Sequence, residues 1–169
     1  MLRLSKMIKL ITSVVYFVKT EHLYKIIDHL VIAKELKRNI IDLEGHDLIA
    51  VELGHTDNDY TTCLNVSSVG LVIAGDAVYN DVHLYLVESN VKSRREWIAP
   101  LDKIGSFNPR AVIAAPKRPD NDDNPRIIEE TRQYIRDFDR IAEISTNAQE
   151  LCDKMLEIYP KQINPGWAP

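Results

Sequence analysis

Two apolar segments of the chain each end in a glycine that is followed by a side chain able to bind a metal ion. The first is Glu52-Leu53-Gly54-His55, and the second spans residues 70–76 and reads Gly-Leu-Val-Ile-Ala-Gly-Asp. This layout predicts two buried strands, each followed by a loop that holds one candidate ligand, His55 or Asp76, on a rigid backbone. Imidazole nitrogen and carboxylate oxygen are both common zinc ligands.

The size and charge of the chain limit the classes of protein it can be. Its 169 residues are enough for one domain with a real core, and a hydrophobic content of 45% with 27% charged residues is typical of a soluble globular protein. A formal net charge of −4 argues against nucleic acid or an anionic membrane as the main partner. Only two cysteines, Cys63 and Cys152, are present, which predicts a reducing, cytoplasmic compartment.

Residues 1–38 differ in character from the rest and are predicted to be a divergent N-terminal segment. Residues 1–6 are basic and residues 7–18 are mostly apolar, which superficially resembles a signal peptide. The apolar run is shorter than the ~20 residues that span a bilayer, and no small-residue cleavage site follows it. We therefore predict a buried strand or helix here, with an export or membrane-anchoring role as the alternative.

The pattern of residues 39–169 predicts an α/β domain with a mixed sheet covered by helices. Strands are expected over residues 47–53, 60–66, 71–75 and 111–115. The short loops between the first three strands require antiparallel neighbours. Helices are predicted to begin at a capping box in Ser93-Arg94-Arg95-Glu96, at Asn124-Pro125, and at a second capping box in Thr146-Asn147-Ala148-Gln149. No glycine-rich phosphate loop is present.

The motifs in this half of the chain resemble one branch of the metallo-β-lactamase superfamily of hydrolases. The resemblance implies that residues 39–169 form the C-terminal half of an αββα sandwich. It also implies zinc-dependent hydrolysis of an ester, amide or thioester bond of a small-molecule substrate. The segments that carry it, in the family's order, are Gly54-His55-Thr56-Asp57, residues 71–80, Glu96-Trp97-Ile98, residues 110–114, Lys117-Arg118-Pro119, residues 130–138, Tyr159-Pro160 and Asn164-Pro165-Gly166.

The same resemblance implies a metal site that is incomplete in this chain. His55 corresponds to a ligand of the first metal and Asp76 to the carboxylate that bridges two metals. The family's His-x-His-x-Asp-His motif does not occur in the sequence, and Pro116 stands where the family has its last histidine ligand. Because a catalytic zinc needs about three protein ligands, we expect a truncated or degenerate member that binds zinc weakly or not at all and is weakly active or inactive. The alternative is a non-catalytic binding protein that keeps the pocket.

Further roles follow from the resemblance for residues near these ligands. Tyr79, Asn80, His83 and Lys117 are expected at the substrate pocket, and His83 is the first candidate for a substitute ligand. Asp57 is expected either to orient His55 or to cap its turn. A half-sandwich leaves one sheet face without its partner sheet, so we expect either self-association through this face or its coverage by residues 1–36.

Overall fold

The computed structural model describes residue 36, residues 38–86 and residues 88–164. The predictions for the N-terminal segment, including a buried strand or helix and the membrane-anchor alternative, fall almost wholly outside these described residues. The division of the chain at residue 38 therefore stays a prediction. Within the described part of the chain, no helix has the length and apolar character required to cross a bilayer.

Five strands form one sheet in the spatial order β1-β2-β3-β4-β5. The first four pair antiparallel in sequence, whereas β5 pairs parallel with β4, so the predicted mixed sheet is confirmed. Since β3 runs antiparallel to both of its neighbours, β2, β4 and β5 all run in the same direction. Their C-terminal ends therefore lie along one edge of the sheet. The strands are β1 (Ile40–Leu43), β2 (His46–Gly54), β3 (Thr61–Val66), β4 (Leu71–Gly75) and β5 (Ala111–Ala114).

The first of three helices, α1 (Val91–Ser106), begins earlier than the sequence predicts. Asn90 is its N-cap: the Asn90 side chain accepts the N–H of Ser93 at 3.0 Å, and the Ser93 hydroxyl accepts the N–H of Asn90 at 2.9 Å. Ser93 is thus the third residue of the helix (N3) in a capping box whose N-cap is Asn90. The predicted box, with Ser93 as its N-cap, is wrong. Glu96 instead lies 3.6 Å from Lys92 on the helix surface.

The other two helices are α2 (Ile127–Ala142) and α3 (Ala148–Ile158). Unlike α1, both begin slightly later than predicted. The Asn124 side chain accepts the N–H of Arg126 at 2.9 Å, which forms a turn before α2 and moves the helix start past Pro125. At α3 the N-cap is Asn147, whose side chain accepts the N–H of Glu150 at 3.0 Å. In both cases an asparagine side chain accepts a backbone N–H group near the start of the helix.

The helices pack against one face of the sheet and enclose the core. Three apolar side chains of α1, Trp97, Leu101 and Ile104, are fully buried there. The Trp97 indole N–H donates to the Ala77 carbonyl at 2.9 Å, which fixes the segment that leaves β4. Other members of this cluster are Val72, Ala74, Val112, Ile127, Tyr134, Ile135, Phe138 and Met155.

Four further buried side chains of the sheet, Leu48, Val66, Leu71 and Ala111, lie outside the cluster under the helices. Successive side chains of a strand point to opposite faces, and Val72 belongs to the helix-covered cluster, so Leu71 points to the other face. Its exposed fraction is 0%, and that of Leu48 is 5%. Self-association through this face stays a prediction.

Candidate functional site

The two predicted ligands, His55 and Asp76, follow strands that end at the same edge of the sheet. His55 follows the last residue of β2, Asp76 follows the last residue of β4, and Pro116 comes two residues after β5. Neighbouring strands are about 4.8 Å apart, so the ends of β2 and β4, which flank β3, are about 10 Å apart. Gly54 and Gly75 have φ values of 93° and 59°, a left-handed conformation that turns the chain sharply out of each strand. We call this region the ligand edge.

Two carboxyl groups approach each other at the ligand edge. Burial raises the pKa of Asp57, and the negative charge of Asp76 raises it further, against a lowering effect from the Thr56 hydroxyl. The pKa of the Tyr79 hydroxyl is also raised, mainly by burial and additionally by the charges of Asp57 and Asp76. The charge of Asp76 thus reaches both Asp57 and Tyr79, as expected for loops that leave the same edge of the sheet. The edge therefore brings together Asp57, Asp76 and Tyr79.

His55 is held by a carboxylate other than the one considered from the sequence. Its Nδ1 lies 2.8 Å from Oδ1 of Asp59, while Asp57 accepts the Thr56 hydroxyl at 3.0 Å and the Asn58 amide at 3.2 Å. Asp59, and not Asp57, thus orients the imidazole. A carboxylate on Nδ1 favours the tautomer with its proton there, which leaves the lone pair of Nε2 for another partner. Metal-binding histidines are commonly oriented in this way.

Asn80 and Lys117 brace the loops beside the ligand edge. The Asn80 amide is buried, donates to the Asp122 carbonyl at 2.7 Å and accepts the Asn121 amide at 2.8 Å. The Lys117 ammonium lies 2.6 Å from the Asp123 carboxylate in a largely buried ion pair. The Asn80 N–H also donates to the Pro116 carbonyl at 2.9 Å, so the segment after β4 is tied to the loop after β5.

His83 lies inside the core, under α2. It is 0% exposed, and its Nδ1 is 3.0 Å from the Tyr134 hydroxyl. Among the described residues, Nε2 has no hydrogen-bond partner. Burial lowers the pKa of His83, which keeps the ring neutral.

A groove of about 450 Å³ opens between the segment after β4, α2 and the end of α3. Of the four residues predicted for a substrate pocket, Tyr79 lines it, and Asn80, His83 and Lys117 do not. Thr131 fixes Tyr79 there: its hydroxyl accepts the Tyr79 N–H at 3.0 Å and donates to the Tyr79 carbonyl at 3.3 Å. Sequence reasoning missed Thr131 as a site residue, because its spacing marks it only as a core position of α2. Other lining residues are Val82, Leu84, Tyr159 and Gln162.

The described residues do not fit a complete zinc site. A catalytic zinc takes about three protein ligands and keeps one open position. No three His, Cys, Asp or Glu side chains of the described part of the chain could hold one metal ion. Pro116 contributes a carbonyl to Asn80 and has no side-chain donor. At the ligand edge, the described residues therefore do not bring three possible metal ligands to one point.

Solved structures with the same architecture are metallo-β-lactamase proteins. A metallo-β-lactamase family protein from Thermus thermophilus aligns with a TM-score of 0.53 and 18% identity, over 79% of this chain and 44% of its own length. The chain has part of the metallo-β-lactamase fold. A metallo-β-lactamase from Pontibacter korlensis aligns less well, with a TM-score of 0.48 and 8% identity over 59% of this chain and 46% of that protein.

The metallo-β-lactamase fold of this chain is thus seen in its structure and not in close sequence relatives. Neither the protein-family models nor the curated protein sequences match the chain. The chain spans less than half the length of the metallo-β-lactamase structures named above. At identities of 18% and below, the likeness defines the fold alone.

Proposed function

We propose that this chain is a metallo-β-lactamase-fold hydrolase whose own described residues form part of a metal-dependent site. On its own it binds zinc weakly, and it hydrolyses ester, amide or thioester substrates weakly or not at all. The observation that carries the proposal is the ligand edge, where β2, β4 and β5 end in the same direction and place His55 and Asp76 on loops at one edge of the sheet. A sheet edge of this kind is a common place for a site because the strands hold the loops rigidly.

The orientation of His55 supports metal binding as the chemistry of this edge. A solvated histidine in a turn needs no partner on Nδ1, whereas a ligating histidine is usually oriented by a carboxylate or carbonyl. The 2.8 Å contact between His55 Nδ1 and Asp59 provides that support. His55 is 24% exposed, so its ring is partly shielded while its edge remains reachable.

The incompleteness of the ligand set supports weak binding and weak activity. Structural zinc sites with four ligands reach about 10–16 kcal/mol of binding free energy. A set that offers His55 and Asp76, with proline at the end of β5, falls far below that requirement. The other histidines of the described residues are engaged elsewhere, His46 with Ser68 in the first hairpin and His83 with Tyr134 in the core.

Zinc analysis of the purified chain tests the proposal directly. After equilibration with micromolar zinc and dialysis, we expect well below one zinc per chain, and the residual zinc should fall further in His55→Ala and Asp76→Asn. His46→Ala is the matched control, because His46 contacts the Ser68 hydroxyl at 2.8 Å in the hairpin and not the ligand edge. Near-stoichiometric zinc that is lost in His55→Ala would contradict the expected weak binding. Equal residual zinc in all three variants would contradict the ligand edge as its location.

A further inference from the structure

A second concave surface lies between the helices and is lined by four arginines. This α1–α2 groove has a volume of about 380 Å³, and its lining residues are Arg94, Arg95, Ile98, Ile135, Arg136, Asp139, Arg140 and Glu143. The helices run antiparallel here, since Arg94 of α1 pairs with Asp139 of α2, and Asp102 of α1 pairs with Arg132 of α2. None of the lining residues belongs to the ligand edge or to the groove beside Tyr79.

Two of the arginines are neutralised and shape the walls of the groove. The buried Arg94 guanidinium donates to Asp139 at 2.5 Å and to the Ser89 hydroxyl at 3.0 Å, and it lies 4.8 Å from the centre of the Phe138 ring. Arg140 donates to Asp137 at 2.8 Å. These contacts hold the buried Arg94 side chain in place and pair Arg140 with one carboxylate.

The other two arginines, Arg95 and Arg136, line the groove from opposite helices, and neither has a carboxylate of its own. Arg95 is exposed, and the described residues include no ion pair to it. Arg136 lies 3.5 Å from the Glu129 carboxylate, which already accepts Arg132 at 2.7 Å. Two guanidinium groups are thus available across one small groove, in a chain whose net charge is −4.

We infer that the α1–α2 groove binds the phosphate group of a small molecule, clamped between Arg95 and Arg136. Guanidinium forks donate paired hydrogen bonds to oxyanions. The two oxygens of a carboxylate would be taken up by one fork, whereas a phosphate monoester has three terminal oxygens and a charge of about −1.5 to −2, enough for both arginines. Glu143 offsets part of the positive charge at the rim and disfavours a long polyanion.

The dimensions of the groove favour a small ligand over a macromolecular surface. Its volume of about 380 Å³ lies at the low end of small-molecule sites, which span roughly 300–1,000 Å³. Ile98 is partly buried and Ile135 is 1% exposed, so the floor between the arginines offers a narrow apolar strip for the organic part of the molecule. Charge complementarity, and not apolar area, is what selects the ligand.

Titration of the full chain with inorganic phosphate and with phenyl phosphate, followed by amide NMR shifts at constant ionic strength, tests the inference. We expect saturable shifts at the groove in the millimolar range or tighter, and weaker binding of acetate. Arg95→Gln combined with Arg136→Gln should lower phosphate affinity by roughly tenfold or more. Lys92→Gln is the matched control: it removes one exposed charge from α1 outside the groove and should change the affinity less than about twofold.

One further double variant and two further ligands complete the test. Arg95→Lys with Arg136→Lys keeps the charge but loses the forks, and we expect an intermediate affinity. Equal phosphate binding by the wild type and the Gln pair, or an equal response to chloride, would overturn the inference. Binding of an oligonucleotide without saturable phosphate binding would also overturn it, because it would show a surface that selects polyanions.

Discussion

His83 shows how a single residue can have a chemistry that its sequence context does not reveal. In the sequence it follows Asp76 by seven residues and looks like a substitute ligand or a pocket residue. In the structure its ring is enclosed by the core and hydrogen-bonded to Tyr134, fifty-one positions away. A contact of that sequence separation depends on how α2 docks on the sheet, which no local pattern specifies.

The burial of His83 predicts a pH dependence of stability. Its pKa is lowered from 6.5 in the folded state, so below pH 6.5 the unfolded chain binds the proton more readily than the folded chain. The free energy of unfolding should therefore be highest above pH 6.5 and fall as the pH drops, with a slope of up to about 1.4 kcal/mol per pH unit. Urea denaturation between pH 7.5 and 5 measures this slope.

The control for this dependence is His83→Gln, which retains an acceptor for the Tyr134 hydroxyl and does not titrate. We expect a flatter profile than that of the wild type over the same pH range. Carboxylates with lowered pKa, such as Asp137, affect both proteins equally and mainly at lower pH. Identical slopes for the two proteins would show that His83 does not titrate differently in the folded and unfolded states.

At the scale of elements, the strands were predictable and the helix starts were less so. Alternation and short loops specify β2, β3 and β4 within two residues, because apolar runs between turn residues leave few other conformations. The start of α1 was misplaced because Asn90, Ser93 and Glu96 are spaced by three, and any two consecutive members can form a capping box. In the structure the first pair forms the box.

The capping box of α1 gives a test with an internal control. Asn90→Ala removes the acceptor for the Lys92 and Ser93 N–H groups and should lower the free energy of unfolding by about 1 kcal/mol. Glu96→Ala removes only a long surface contact to Lys92 and should change stability by less than about 0.5 kcal/mol. Denaturant titration of both variants compares them. A larger loss in Glu96→Ala would favour the helix start predicted from the sequence.

At the scale of the whole molecule, the candidate site follows from the direction of the strands. A sequence that places His55 and Asp76 after strands of the same direction already implies a shared edge, and the effect of the Asp76 charge on Asp57 and Tyr79 agrees with it. The sequence could not specify that Asp59 orients His55, since Asp57 and Asp59 both follow His55 in the same loop and Asp57 is the nearer along the chain. It also could not specify Thr131, which reaches Tyr79 from a distant helix.

Pro116 offers the sharpest test of how far the ligand edge is from a working site. Pro116→His places an imidazole at the end of β5 and keeps the backbone carbonyl that accepts the Asn80 N–H. We expect zinc affinity to rise modestly, on the order of tenfold or about 1.4 kcal/mol, and hydrolysis of simple esters and thioesters to change little.

We expect only a modest gain in zinc affinity because the new histidine adds one ligand at the end of β5, beside β4. The described residues hold no group of three ligands that it could complete. Competition with a chromophoric chelator measures the affinity, and His55→Ala in the Pro116→His background locates the ion. If the gain depends on His55, the three strand ends share one metal position. A gain that persists without His55 would place the ion elsewhere, and a large gain in hydrolysis would show that the chain already holds the remaining ligands.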